Sequence, residues 1–205
     1  MNWQIVTLDD IRQFASDARH AIWEDARGCW REPKIYLHWT AGYYNSKFSD
    51  YHINIDGGGH FWVYDPDFSV ILPHTYKRNS GSIGIALDCC VDATSDCLGS
   101  TPPTNDQIEA MAQCIAAVAD SLWLTIDVPH VMTHGEAADN FDGNWCHERY
   151  GPSSTCERWD LQYLGTDESP EFTRDFNDPS TGGNVLRGKA NWYREQWKGE
   201  SGDGN

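Results

Sequence analysis

The sequence predicts one α/β (α+β) domain with a central mixed β-sheet flanked by helices. Short apolar runs typical of buried strands alternate with segments of helical periodicity. The chain has 205 residues and 40% hydrophobic content, which is enough for one well-buried domain. No change of composition separates two halves. We expect a single domain over residues 1–198, with its core motifs in 34–165 and a closing segment in 166–198, and a disordered tail over 199–205.

An amphipathic helix is predicted within the first 30 residues. Thr7 or Asp9 is placed to cap its start. Its apolar residues recur at spacings of three and four, which puts them on one helical face. They are Leu8, Ile11, Phe14, Ala15, Ala18 and Ile22.

Three buried strands and a hairpin are predicted next. Residues 35–38 form an apolar, β-rich run after Pro33, and His38 ends it. Residues 51–56 and 60–64 flank three consecutive glycines, which is typical of a hairpin. Residues 82–87 form a second apolar run, and 129–133 form a third, which leads into His134.

The clearest helix begins at Thr104, which forms a capping box with Gln107 and precedes an apolar face through Leu122. Residues 135–157 are predicted to be a long irregular loop, and loops of that length are usually functional or disordered. Residues 186–197 are predicted to form a closing helix.

Charge excludes several classes of partner. The chain has 15 basic and 31 acidic residues, for a formal charge of −16, so nucleic acid and anionic bilayers are poor partners. No apolar run approaches the roughly 20 residues of a membrane-spanning helix. Met1 to Gln4 shows no basic stretch followed by an apolar one, so we expect synthesis in the cytoplasm without a signal peptide.

Seven cysteines, an odd number, show no paired CxxC spacing of a structural zinc site. We expect most of them to be reduced thiols packed as small hydrophobic groups. A bridge between Cys146 and Cys156 is the alternative.

Two histidines at strand ends are candidate metal ligands. A catalytic zinc site takes three protein ligands and keeps one position open. His38 and His134 both lie where a strand opens into a loop, although a single histidine there is more often an ordinary hydrogen-bonded residue. The third ligand could be Asp160 or Cys156, and Asp160 could equally cap a short helix.

Five linked segments between about residues 34 and 165 make the chain similar to a known family. In order, they are Leu37-His38-Trp39-Thr40, Tyr51-His52-Ile53-Asn54-Ile55, His74 with Ser82-Ile83-Gly84-Ile85, Thr133-His134-Gly135-Glu136, and Arg158-Trp159-Asp160. This set resembles the zinc-dependent N-acetylmuramoyl-L-alanine amidases, which include phage amidase lysozymes and peptidoglycan recognition proteins. Segments 133–138 and 156–161 look most like those of phage and prophage endolysins.

The resemblance implies a function and a cofactor. It implies hydrolysis of the amide between N-acetylmuramic acid and L-alanine in bacterial peptidoglycan, with Zn²⁺ held by His38, His134 and Asp160. Cys156 then lies outside the ligand set. An endolysin of this kind would reach the cell wall after release through a holin-type pore. A peptidoglycan-binding recognition module without strong catalysis is the alternative.

The resemblance also implies four catalytic candidates. Tyr51 matches a tyrosine near the metal, and Asp88 matches a carboxylate that some members use as a general base. Arg158 replaces the family's lysine, and because a guanidinium keeps its proton it could stabilise negative charge but not act as a base. Glu136 is a second acidic candidate, or alternatively a residue that orients a ligand histidine.

Two residues are candidate substrate contacts. His74 matches a family histidine that faces the substrate groove. Trp39 adjoins His38, and its indole could stack on a sugar ring.

Overall fold

A six-stranded mixed sheet flanked by helices forms the centre of the computed structural model, which describes residues 2–149 and 159–202. The predicted fold class is confirmed. The strands are β1 (Gln4–Val6), β2 (Lys34–Trp39), β3 (Ile53–Ile55), β4 (Phe61–Val63), β5 (Ser82–Leu87) and β6 (Val131–Thr133), and the helices are α1 (Leu8–Gly28), α2 (Asn105–Leu122), α3 (His134–Ala138) and α4 (Gly182–Gly202). The strand order is β1-β4-β3-β5-β2-β6.

The parallel part of the sheet brings the two histidine-bearing strand ends together. β2 pairs in parallel with β5 on one side and β6 on the other, and every residue of β2 and β5 is buried. The register places Leu37 opposite Thr133, so His38 and His134 follow at the same edge. Carboxyl ends of parallel strands are where such folds gather functional side chains.

The predicted hairpin is present as β3 and β4, which pair antiparallel with Asn54 opposite Trp62. Gly59 in its turn has φ +78°, and a Cβ there would lie 2.8 Å from the Asp106 carbonyl oxygen, so only glycine fits. Strand β1, which the sequence analysis missed, pairs antiparallel with β4 at the sheet edge.

Capping boxes fix the starts of both long helices. Thr7, rather than Asp9, caps α1 and forms its box with Asp10. Thr104 caps α2 as predicted, and its box partner Gln107 also donates from Nε2 to the carbonyl oxygens of Ile55 and Asp88. Helix α2 packs against both α1 and α4.

The short helix α3 follows β6 directly, so residues 135–138, the start of the predicted loop 135–157, are helical. Helix α4 begins at Gly182 and extends to Gly202, so it is longer at both ends than the predicted 186–197. Within the described residues, no helix is long and apolar enough to cross a bilayer. Cys89, Cys90 and Cys114 are buried free thiols. The alternative bridge to Cys156 falls outside the described residues.

Candidate metal centre

Three buried side chains meet at the carboxyl ends of β2 and β6. The Nδ1 atoms of His38 and His134 are 3.2 Å apart. Oδ2 of Asp160 lies 3.5 Å from Nδ1 of His38 and 3.4 Å from Nδ1 of His134. Tetrahedral zinc, with bonds of about 2.0–2.1 Å, separates its ligand atoms by roughly 3.3–3.4 Å. The three atoms therefore form a triangle of the size that one such ion requires, and this cluster could hold a metal ion.

The charge states of His38 and Asp160 favour the binding of a metal cation. Burial lowers the pKa of His38 to about 4, against the opposing effect of the Asp160 carboxylate, so its imidazole is neutral near pH 7. Burial alone would raise the pKa of Asp160, but the ring nitrogens of His134 and His38 beside it more than offset this and hold that pKa below its usual range. A neutral imidazole and an ionised carboxylate are the forms that bind metals.

Helix α3 fixes the position of His134. Thr133 caps α3, and the Glu136 carboxylate accepts a hydrogen bond from the Thr133 backbone N–H at 2.8 Å. Arg187 of α4 donates to both oxygens of Glu136, at 2.8 and 2.7 Å. Glu136 is 1% exposed and is not among the residues that line the cavity beside the cluster. Its contacts hold the turn that carries His134.

A cavity of about 460 Å³ opens beside the three side chains. Trp39, Tyr51 and His74, all predicted site residues, lie in its wall together with His134 and Asp160. The ring centroids of Tyr51 and His38 are 4.9 Å apart. A larger surface groove of about 640 Å³, beside Trp192 of α4, is lined by none of the predicted site residues that the structure describes.

Asp88 is buried one strand away from the cavity wall. It follows β5 next to Thr40, whose backbone N–H donates to the Leu87 carbonyl. Within the described residues, neither Asp88 oxygen nor the Thr40 hydroxyl has a hydrogen-bond partner. Burial raises the pKa of Asp88 to about 7, opposed by the Lys47 ammonium. Thr40 lines the cavity, whereas Asp88 does not.

Arg158 and Cys156 lie outside the described residues, so the structure gives no position for either. The structure also identifies contacts that the sequence analysis missed. Thr75, in a turn-rich segment without a recognisable pattern, places its hydroxyl 3.3 Å from Nε2 of His38. Arg78 is fully buried and donates to Asp142 at 3.1 Å, which ties the Thr75 segment to the residues after α3.

Comparisons with known proteins return only structural matches. No protein-family model and no curated protein matches the chain. One matched structure is Drosophila PGRP-LB, with 18% identity, a TM-score of 0.39, and coverage of 52% of this chain and 71% of that one. Another is the endolysin N-acetylmuramoyl-L-alanine amidase LysCS from Clostridium intestinale, with 16% identity, a TM-score of 0.40, and coverage of 52% and 72%.

Proposed function

We propose that the protein is a zinc-dependent N-acetylmuramoyl-L-alanine amidase that acts on bacterial peptidoglycan in the manner of a phage endolysin. The triangle of His38, His134 and Asp160 at the cavity wall carries the proposal, because its edges of 3.2 to 3.5 Å match one tetrahedral ion. The proposed substrate class rests on the resemblance of the five segments to the amidase family. A recognition module would not need the complete ligand set that the cluster provides.

The metal, Tyr51 and Arg158 have separate roles in the proposed cleavage. Zinc in such a site supplies Lewis acidity and lowers the pKa of water toward about 7. Tyr51, in the cavity wall near His38, offers its phenol as a neutral hydrogen-bond donor to the negative charge that develops on the scissile carbonyl oxygen. The guanidinium of Arg158 would stabilise the same negative charge with its fixed positive charge.

Departure of the L-alanine amine requires a proton at its nitrogen. Asp88 suits this task better than Glu136, because its pKa of about 7 keeps a proton available near neutral pH. Glu136 is committed to Arg187 and Thr133, so we assign it the positioning of His134.

The groove walls indicate how substrate is held. Trp39 is 6% exposed, so only a small part of its surface is accessible to substrate. Both ring nitrogens of His74 are engaged by Thr75 and Ser82, at 2.9 and 3.3 Å, so its contact with substrate would be through ring carbon atoms. Peptidoglycan is the proposed partner, and the cell wall, reached through a holin-type pore, is the proposed place of action.

The decisive experiment is mass analysis of the soluble products released from defined peptidoglycan. We expect new L-alanine amino termini, one zinc per chain, loss of cleavage with a chelator and recovery with added zinc. Asp160→Ala should lose both zinc and cleavage, while Asp17→Ala, at an exposed site of α1, should keep both. New reducing sugar ends would make the protein a glycosidase, and zinc binding without any product would make it a recognition module.

A further inference from the structure

A chain of buried hydrogen bonds runs from β5 to the candidate ligand His38. It passes through Ser82, His74 and Thr75, of which Thr75 is 3% and His74 6% exposed. The successive contacts are His38 Nε2 to Thr75 Oγ1 at 3.3 Å, Thr75 Oγ1 to His74 Nδ1 at 2.9 Å, and His74 Nε2 to Ser82 Oγ at 3.3 Å. The Ser82 hydroxyl ends the chain at the Asn79 carbonyl oxygen, at 2.7 Å.

The Asn79 carbonyl sets the direction of the two hydrogen bonds that Ser82 makes, to Asn79 and to His74. A carbonyl oxygen only accepts, so the single Ser82 proton is directed at Asn79. The Ser82 oxygen must then accept from His74, which places an N–H on Nε2 of that ring. A neutral imidazole has one N–H, so Nδ1 of His74 is left as an acceptor.

The same reasoning continues to His38. The Thr75 hydroxyl donates its only proton to Nδ1 of His74, so its oxygen accepts from Nε2–H of His38. This leaves a lone pair on Nδ1 of His38, which is the atom in the ligand triangle. The Nδ1 atoms of His38 and His134, 3.2 Å apart, cannot both direct protons at each other. With a bare Nδ1 on His38, the Nδ1 proton at this corner belongs to His134, and Oδ2 of Asp160 is placed to accept it at 3.4 Å.

The packing shows that the position of the His74 ring is tightly restricted. A Cβ added at Gly84 would lie 2.7 Å from Cγ of His74, so glycine makes room for the ring against β5. Thr75 is held by its own N–H, which donates to Oδ1 of Asn79 at 2.7 Å. No comparable hydrogen bond at Nε2 of His134 is found in the described part of the chain.

We propose that Ser82, His74 and Thr75 are positioning residues that fix the Nε2–H tautomer of His38 and hold its Nδ1 lone pair ready for the metal. Partners of the second nitrogen of a ligand histidine commonly change metal affinity by 10–100-fold when they are removed. This inference rests on the metal site of the proposed function. It gives His74 a task that does not require contact with substrate.

The test measures zinc affinity by chelator competition and the His38 tautomer by nitrogen NMR of the metal-free protein. Thr75→Val should weaken zinc binding by about 10–100-fold and should mix the two His38 tautomers. Thr75→Ser keeps a hydroxyl and should restore both properties. Thr125→Val removes an exposed hydroxyl after α2, outside the cavity and the hydrogen-bond chain, and its zinc affinity should stay within about twofold of the wild type.

Either of two results would contradict the proposed role of this hydrogen-bond chain. One is a zinc affinity of Thr75→Val within about twofold of the wild type, and the other is an unchanged Nε2–H tautomer of His38 in that variant. Should Thr75→Val fail to fold, Ser82→Ala decides, because its His74 ring should lose the fixed Nε2–H form. The NMR measurement needs no zinc. If the wild type binds no zinc, the proposed function is wrong, whereas the His38 tautomer in the metal-free protein still tests the hydrogen-bond chain.

Discussion

Replacing Asp88 by asparagine should stabilise the protein by an amount that grows with pH. Asp88 is completely buried, and neither of its oxygens is hydrogen-bonded within the described residues. Burial raises its pKa to about 7 from an ordinary value of 3.8. A neutral amide in the same place has no charge to bury at any pH.

The sign follows from proton binding. Between about pH 4 and pH 7 the unfolded chain releases the Asp88 proton while the folded protein keeps it, so the unfolded state binds fewer protons and wild-type stability falls as pH rises. One pKa unit corresponds to about 1.36 kcal/mol. The wild type should therefore lose on the order of 1–2 kcal/mol by pH 5 and ~4 kcal/mol by pH 8, relative to Asp88→Asn.

Urea unfolding followed by tryptophan fluorescence from pH 4 to pH 8, with chelator and reductant present, measures this difference. Asp17→Asn, at an exposed position of α1, is the control and should track the wild type. If the advantage of Asp88→Asn is the same at pH 5 and pH 8, or shrinks as pH rises, the carboxyl is not a buried acid and the reasoning fails. Cleavage by this variant should fall by roughly 10²–10⁴-fold, since the proposed proton donor is gone.

Three further predictions concern the Arg187–Glu136 ion pair, the packing of Gly84 against His74 and the net charge of the chain. Arg187→Met leaves Glu136 buried without its ion-pair partner and should lower the free energy of unfolding by about 3–5 kcal/mol, whereas a loss below about 1 kcal/mol would contradict a buried ion pair. Gly84→Ala should displace the His74 ring, costing about 1–3 kcal/mol in urea unfolding and weakening zinc binding; unchanged affinity would show that the ring does not depend on this contact. Because the chain carries a formal charge of −16 and many bacterial walls carry polyanions, the rate of cell-wall lysis measured by turbidity should rise with moderate salt, and a falling rate would argue against charge repulsion.

Much of the fold follows from local patterns in the sequence. The helix starts at Thr7 and Thr104 are short-range signals, because a capping box spans only four residues. Buried runs and a glycine turn predict the strands of the sheet in the same way. Strand β1 was missed because its three residues, two exposed and one half-buried, are too few to show a periodicity, and its pairing with β4 depends on a neighbour that is distant in sequence.

The sequence by itself predicted His38, His134 and Asp160 as ligands, since residue type and motif order mark them. Tertiary structure decided what surrounds those three side chains. Glu136 belongs to an ion pair with Arg187, 51 positions away, and Thr75 reaches His38 across 37 positions. Such long-range contacts leave no periodic trace in a sequence, because they depend on how parallel strands and loops converge in space. The chemistry of a side chain can thus be assigned from its motif, whereas its protonation, tautomer and partners depend on the packed fold.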